Sequence, residues 1–569
     1  MEERFSAALP MRHGAEEAQS NPSNCGDIML LGYSIINGEP HKVSGGTFSG
    51  FNPATGQSLE PAFHYASVDD LNRAAELAED AFASYRNLPG KQKGRFLRSI
   101  AAGLEGIAEE VVARANAETA LPEARLKGEL ARTTNQLRLF AQVVEEGSWV
   151  DARIDPAEPE RKPMPRADIR SALRPIGPVA VFGSSNFPLA FSAAGGDTAS
   201  ALAAGNPVIV KAHSAHPGTS ELVGQVIARC VRESNLHPGT FALLFGQGSE
   251  LGAALVKHPV IKGVGFTGSL HAGKALMDMC AARPEPIPCF TEMSSVNPVF
   301  VLPEALRARA AQIASGLFGS FTLGVGQFCT KPGLVFLPAN ADADLLVAEL
   351  KKLVEQGTCQ PMLTEGISKS YKSGVKERTG HAAVTTLAQA TPPAGLKSCY
   401  AVPALFEIAG ADLVKNPELA GEVFGPSTLI IRYQNREEML ALARGVEGQL
   451  TATLHGTEGD LREASDLINI LERKAGRLIV NGYPTGVEVC HAMVHGGPFP
   501  ATSDSRFTSV GTLAIYRWAR PVCYQDFPQA GLPAELRDEN PLGILRMVNG
   551  SYTRDAVGSK AEDLAGTKA

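Results

Sequence analysis

The sequence predicts an α/β protein of more than one domain, built around a parallel sheet with helices on both faces. Two observations carry that expectation. Short apolar runs at 179–183, 207–211, 241–246, 263–266 and 287–291 alternate with helix-patterned stretches at 193–204, 219–233, 250–258 and 271–282. Strand-sized runs bounded by Gly and Pro, with helices between them, mark a sheet buried on both sides. The alternation returns less regularly at 299–302, 334–337, 428–431, 451–454 and 477–480, in a chain of 569 residues that is too long for one compact core.

The elements follow in order. Residues 1–28 are polar and without period, which predicts a disordered tail, and ordered sequence begins near Met29. Ser67 and Asp70 predict a capped helix start, with Leu71, Ala74, Ala75, Ala78, Phe82 and Tyr85 on one face. More helix is expected to about residue 147, and Pro156, Pro159, Pro163 and Pro165 then break the pattern. That stretch reads as a linker or the start of a protruding strand pair.

Composition excludes several classes of function. A net charge of −7 without a basic stripe argues against a nucleic-acid surface. The apolar runs are interrupted by Gly, Pro or charge, so none predicts a membrane span. The N-terminus is too acidic for a secretory signal. Nine scattered cysteines without a CxxC pair predict neither a disulfide framework nor a zinc knuckle, and a reducing compartment, the cytoplasm, is expected.

The chemistry is expected at the strand ends, where parallel sheets bind ligands. Asn186, after the first strand, offers a neutral amide suited to holding an oxyanion, although Asn in a turn is also an ordinary structural residue. Lys211 ends the second strand, and no acid stands in the stretch that follows, so a ribose 2′-phosphate is tolerated there. His213 and His216 sit in a Ser/Pro/Gly loop without further ligands, and no metal is expected. Gly246 and Gly248 allow close backbone approach after the third strand. Gly265, Gly268 and Ser269 open a helix whose free N–H groups suit a phosphate, but the spacing falls short of a full G-x-G-x-x-G. Glu292 ends the fifth strand between Phe290 and Met293, where desolvation would raise its pKa, as a general base requires. A surface glutamate is the alternative. Cys329 lies among Gly324, Gly326 and Gly333, and Lys331 is expected to favour its thiolate.

Taken together these residues resemble the aldehyde dehydrogenase superfamily over about residues 35 to 520. The resemblance implies Cys329 as nucleophile, Glu292 as the base that hydrolyses a thioester, and Asn186 as the oxyanion donor. It implies cofactor contacts at Lys211, Ser214, Gly248, Gly268 and Ser269, and at Glu422 and Phe424 of a Glu-x-Phe-Gly-Pro motif. Ser214 stands where members preferring NAD often carry glutamate, so NADP is expected, with NAD possible. The fold implied has a Rossmann-like cofactor domain (29–150 and 174–291), an α/β catalytic domain (292–500) and a β-hairpin oligomerisation arm. The arm comprises 151–173 and 501–552, pairing through a late strand near 508–519, with a disordered tail at 553–569. A homodimer or homotetramer follows, with a small aldehyde as the only other partner. Gly195 replaces a lysine that many members carry.

The wording around Asn186 and Lys211 looks closest to the branch holding 2,5-dioxovalerate (α-ketoglutaric semialdehyde) dehydrogenases and NADP-linked fatty aldehyde dehydrogenases. The first substrate requires a distal cation, for which Arg506 is the candidate. The second requires an apolar tunnel, for which Phe187, Phe328 and Phe321 are candidates. Cys490, His491 and His495 fall in the loop implied to line the substrate funnel. A catalytically idle protein of the same fold is the reading from another class.

Overall fold

The computed structural model describes residues 29–43, 45–393 and 399–558. The tail expected at 1–28 lies outside the described residues. So does 559–569, but 553–558 is ordered. Thr553 ends a strand, and Val557 packs against the Ile544 cluster while its N–H donates to the Asp538 carbonyl at 2.9 Å.

Two seven-stranded sheets form the body. The first runs Cys289–Glu292, Gly263–Thr267, Val179–Phe182, Val208–Lys211, Phe241–Leu244, Ser34–Ile36 and Glu39–His41. Its first five strands are parallel, and the pair from the chain start is antiparallel. All five expected runs are therefore strands. They are buried on both faces, which is why they read as continuous apolar sequence rather than as alternation. The second sheet runs Thr385–Gln389, Ala404–Ala409, Ser427–Tyr433, Leu334–Pro338, Val299–Val301, Gln449–His455 and Ala475–Val480, and is parallel except for its first pair.

Helix Val68–Tyr85 begins as its sequence predicts. The Ser67 hydroxyl accepts from Asp70 N–H, the Asp70 carboxylate accepts from Ser67 N–H, and Leu71, Ala74, Ala75 and Ala78 are buried. Helix Glu123–Glu146 carries Leu126, Leu130, Leu137 and Phe140 into the core, and it also turns charged residues inward.

A third, five-stranded sheet forms a separate arm in the order Ala519–Gln525, Ile169–Pro175, Arg153–Asp155, Arg546–Val548 and Ser551–Thr553. The late strand expected near 508–519 is displaced. Thr512–Trp518 is a 3-10 helix that buries Ala514, Ile515 and Trp518, and the strand begins only at Ala519. The Trp518 indole donates to Ser200 Oγ at 2.8 Å, which ties this turn to helix Gly196–Ala204 instead of to the arm.

Candidate active site

Three side chains from distant parts of the chain meet at the end of strand Cys289–Glu292. Cys329 Sγ lies 3.4 Å from His495 Nε2, and the same nitrogen lies 2.9 Å from Glu292 Oε1. Ser509 Oγ donates to the second carboxylate oxygen at 2.7 Å. The Glu292 and His495 side chains are 2% and 0% exposed, so solvent does not screen their contact, while Cys329 is half-buried.

Each member is fixed by backbone geometry. Glu292 ends its strand, and its carbonyl accepts from Gly268 N–H at 3.0 Å. His495 is gripped by its own loop: its N–H donates to Thr508 Oγ1 at 2.7 Å, and its carbonyl accepts from Ser509 N–H at 2.8 Å. Cys329 follows a turn in which Gly324, Val325 and Gly326 have φ of 56°, 61° and 64°. A Cβ on Gly326 would lie 2.3 Å from the Gly425 carbonyl, so glycine lets this turn pack on the loop that carries Glu422. The Asn297 amide donates to the carbonyls of Cys329 at 2.8 Å and Lys331 at 3.0 Å, which pins the segment from the other side.

The electrostatics correct two expectations. Burial pushes the Glu292 carboxyl up, but the charge and hydrogen bond of His495, with hydrogen bonds from Ser509 and Cys329, outweigh it and hold the group below the usual carboxylate range. Burial, then the Glu292 charge and hydrogen bond, push the Cys329 thiol well up. Lys331 does nothing to oppose this. It donates to the carbonyls of Val423 at 3.0 Å and Ser427 at 3.1 Å, and burial brings its ammonium down to about 7. The resting site is a neutral thiol facing an ionised carboxylate, with His495 touching both.

Asn186 is buried beside this group, and its amide donates to the Gln327 carbonyl at 3.0 Å, leaving its second N–H for a ligand. Phe187 meets Phe328 edge-on at 5.4 Å between ring centres. Gly195 occupies a turn where a Cβ would press on the Ala190 carbonyl at 2.6 Å, so a lysine has no place there. Arg506 does not reach the site. Its side chain is 78% exposed and forks onto Asp504 at the surface, two residues earlier in the same turn. Among the neighbouring candidates, Cys490 is half-buried and His491 exposed, and only His495 turns inward.

Two half-buried arginines stand where the sequence offered none. The Arg125 guanidinium lies 5.1 Å from the Phe187 ring centre and 4.7 Å from that of Phe328, and it donates to the Asn186 carbonyl at 2.7 Å. Arg132 lies 5.0 Å from the Phe191 ring centre, and its charge acts on Cys329 and Glu292. The signal was available: Arg125, Glu129 and Arg132 share one face of their helix with Leu126 and Leu130. His495 carried a weaker signal: it was placed with Cys490 and His491 in the funnel loop, and nothing in the sequence distinguished the one that turns inward.

The remaining candidates stand on the strand ends and turns that follow in the first sheet and on the loop of Glu422. The Lys211 ammonium makes no hydrogen bond or ion pair among the described residues, and burial brings it down to about 8. Ser214 is exposed in the turn that follows. The His213 and His216 rings stack at 5.3 Å between centres, and burial lowers both pKa values; among the described residues no third ligand joins them. Gly248 opens a π-turn with free space where a Cβ would stand, and it is exposed. Gly268 and Ser269 are exposed at the start of helix Leu270–Ala281, where Ser269 Oγ accepts from Ala272 N–H at 3.3 Å. From Leu270 a cavity of about 710 Å³ extends past Ser294 and Val296 to Glu422. Burial raises the Glu422 carboxyl, which accepts from Ser294 Oγ at 2.8 Å. Phe424 is half-buried two residues on. A partnerless cation, an open helix start and a cavity ending on a carboxylate fit a phosphate-bearing dinucleotide.

A half-buried thiol and a buried base beside a cleft that fits a dinucleotide define a dehydrogenase that works through a cysteine. The chain belongs to the aldehyde dehydrogenase family, whose profile matches residues 41–498, and it is an NAD(P)-dependent enzyme. It is 49% identical over 524 residues to alpha-ketoglutaric semialdehyde dehydrogenase 2 of Azospirillum brasilense, covering 92% of this chain and 99% of that one. Identity to the alpha-ketoglutaric semialdehyde dehydrogenase of Acinetobacter baylyi is 47% over 525 residues, covering 92% and 99%. Among solved structures, the fold is similar to the NADP-dependent glyceraldehyde-3-phosphate dehydrogenase of Bacillus halodurans complexed with NADP. The TM-score is 0.72 at 25% identity, covering 87% of this chain and 98% of that one.

Proposed function

We propose that this enzyme oxidises 2,5-dioxovalerate to 2-oxoglutarate with NADP. The observation that carries the chemistry is the contact of thiol, imidazole and ionised carboxylate at Cys329, His495 and Glu292. The substrate follows from the two relatives that share nearly half of this sequence.

Cys329 attacks the aldehyde carbon, and its proton passes to the Glu292 carboxylate to which the thiol is hydrogen-bonded, and from there to solvent, so that the carboxylate is ionised again for the second step while His495 Nε2–H holds it in place. The free N–H of Asn186 holds the oxygen that develops charge. A bound nicotinamide supplies the two-electron acceptor. The acyl group is left as a thioester on Cys329. Glu292 then takes a proton from the water that attacks the thioester carbonyl, and the carboxylic acid leaves. Lys211, Gly268, Ser269 and Glu422 would hold the dinucleotide, with Gly248 and Ser214 at the rim. The 2′-phosphate is favoured because 211–216 contains a lysine and no acid. The arm supports a homo-oligomer, since Ala519–Gln525 and Ser551–Thr553 leave both edges of its sheet open.

The aromatic wall of Phe187 and Phe328 favours a second reading, a medium- or long-chain aldehyde. Following reduced cofactor with NADP and a panel of aldehydes separates the two. The first reading expects kcat/KM to peak at 2,5-dioxovalerate or succinic semialdehyde. A steady rise from butanal to decanal, with neither semialdehyde used, would establish the second.

A further inference from the structure

Helix Glu123–Glu146 turns three charged side chains inward, Glu129 buried and Arg125 and Arg132 half-buried, and the first two are already engaged. Glu129 Oε1 accepts from the N–H groups of Leu189 at 2.9 Å and Ala190 at 3.0 Å. Arg125 donates to the Asn186 carbonyl and covers two aromatic rings.

Arg132 differs. Its Nε makes one long contact, 3.4 Å, to the Val487 carbonyl, and one face of its guanidinium rests on Phe191. Both terminal nitrogens are buried without a hydrogen-bond partner. The acids that act on it, Glu129, Glu292 and Glu488, form no ion pair with it among the described residues. An unpaired guanidinium taken out of water is costly, and a planar fork of N–H donors is shaped for a carboxylate. Its position adds the direction. Phe191, on which Arg132 rests, also lies 6.3 Å from the His495 ring, so one aromatic side chain separates the empty fork from the imidazole that touches Cys329.

We propose that Arg132 receives a carboxylate at the far end of the substrate and selects short semialdehydes of oxo- or dicarboxylic acids. This deepens the reading of 2,5-dioxovalerate as substrate and rests on it. The same fork disfavours a long alkyl chain, which would bury it against hydrocarbon.

The test uses full-length enzyme with NADP, comparing wild type with Arg132→Leu and Arg132→Lys. The ratio of kcat/KM for 2,5-dioxovalerate over butanal should fall about tenfold or more in Arg132→Leu, the loss expected for one charge-assisted hydrogen bond, and Arg132→Lys should recover part of it. The loss should appear in KM more than in kcat. Glutarate, an unreactive diacid, should inhibit butanal oxidation competitively in wild type and less well in both variants. The glutarate arm keeps the site apart from the proposed substrate. If wild type prefers butanal yet glutarate competes through Arg132, the substrate reading fails and the anion site stands. An unchanged substrate ratio, or glutarate inhibition equal in all three proteins, overturns the proposal. If Arg132→Leu does not fold, the same two outcomes are read from Arg132→Lys.

Discussion

Replacing His495 by alanine should slow the enzyme and also change how it responds to pH. The imidazole is fully buried and bonds an ionised carboxylate at 2.9 Å. A hydrogen bond to a charged group contributes roughly 1.5–3 kcal/mol, so kcat/KM should fall about 10- to 150-fold. The pH response separates function from packing. His495 supplies the two largest influences that hold the Glu292 carboxyl down against its burial. Without them burial dominates and the carboxyl rises. The base must be ionised to act, so activity is present above its pKa and is lost as pH falls through it. The acid limb of kcat/KM should therefore move to higher pH in His495→Ala, and His495→Gln, which keeps a donor, should move it back in part. The assay is a pH–rate profile under first-order conditions, with melting curves to confirm folding. A slower enzyme with an unmoved acid limb would show that His495 only packs. An unchanged rate would refute the arrangement altogether.

Two further outcomes concern the cofactor. Ser214→Glu should place a carboxylate near the 2′-phosphate and cost NADP several kcal/mol while sparing NAD; an unchanged kcat/KM ratio for the two cofactors would move Ser214 away from the ribose. The Lys211 ammonium, brought to about 8 by burial, should lose its charge as pH rises through that value, so NADP should bind more weakly above pH 8 than below it. Titrations on either side of pH 8 check this, and Lys211→Arg should flatten the difference.

Much of the fold was legible because its signals are local and periodic. The five parallel strands, the Ser67 cap and the second set of strands each announce themselves within a few residues. Some of what failed depended on contacts distant in sequence, and some on where a local side chain points. Residues 512–518 carry strand-like apolar content, but Trp518 finds Ser200 and the segment winds into a 3-10 helix. Glu292 was legible as a strand-end carboxylate, while the sign of its pKa shift was not, because the imidazole that reverses it comes from 203 residues away. Lys331 is two residues from Cys329 yet points at the Glu422 loop. Arg506 looked like a funnel cation until its bond to Asp504 placed it in solvent. The inward face of helix Glu123–Glu146 was the readable clue that went unused: a guanidinium among leucines needs partners, and among the described residues the terminal nitrogens of Arg132 have none.

The central claim is that Cys329 carries the acyl group and Glu292 releases it, and trapping that intermediate tests it most directly. Glu292→Gln enzyme, mixed with 2,5-dioxovalerate and NADP, should give one burst of reduced cofactor and then stall, because His495 Nε2, no longer committed to a carboxylate, can receive the thiol proton while no carboxylate activates water. Digestion and mass analysis of the stalled enzyme should place the acyl group on the peptide that contains Cys329. An acyl group on another cysteine, or a burst that leaves none on Cys329, would contradict the account.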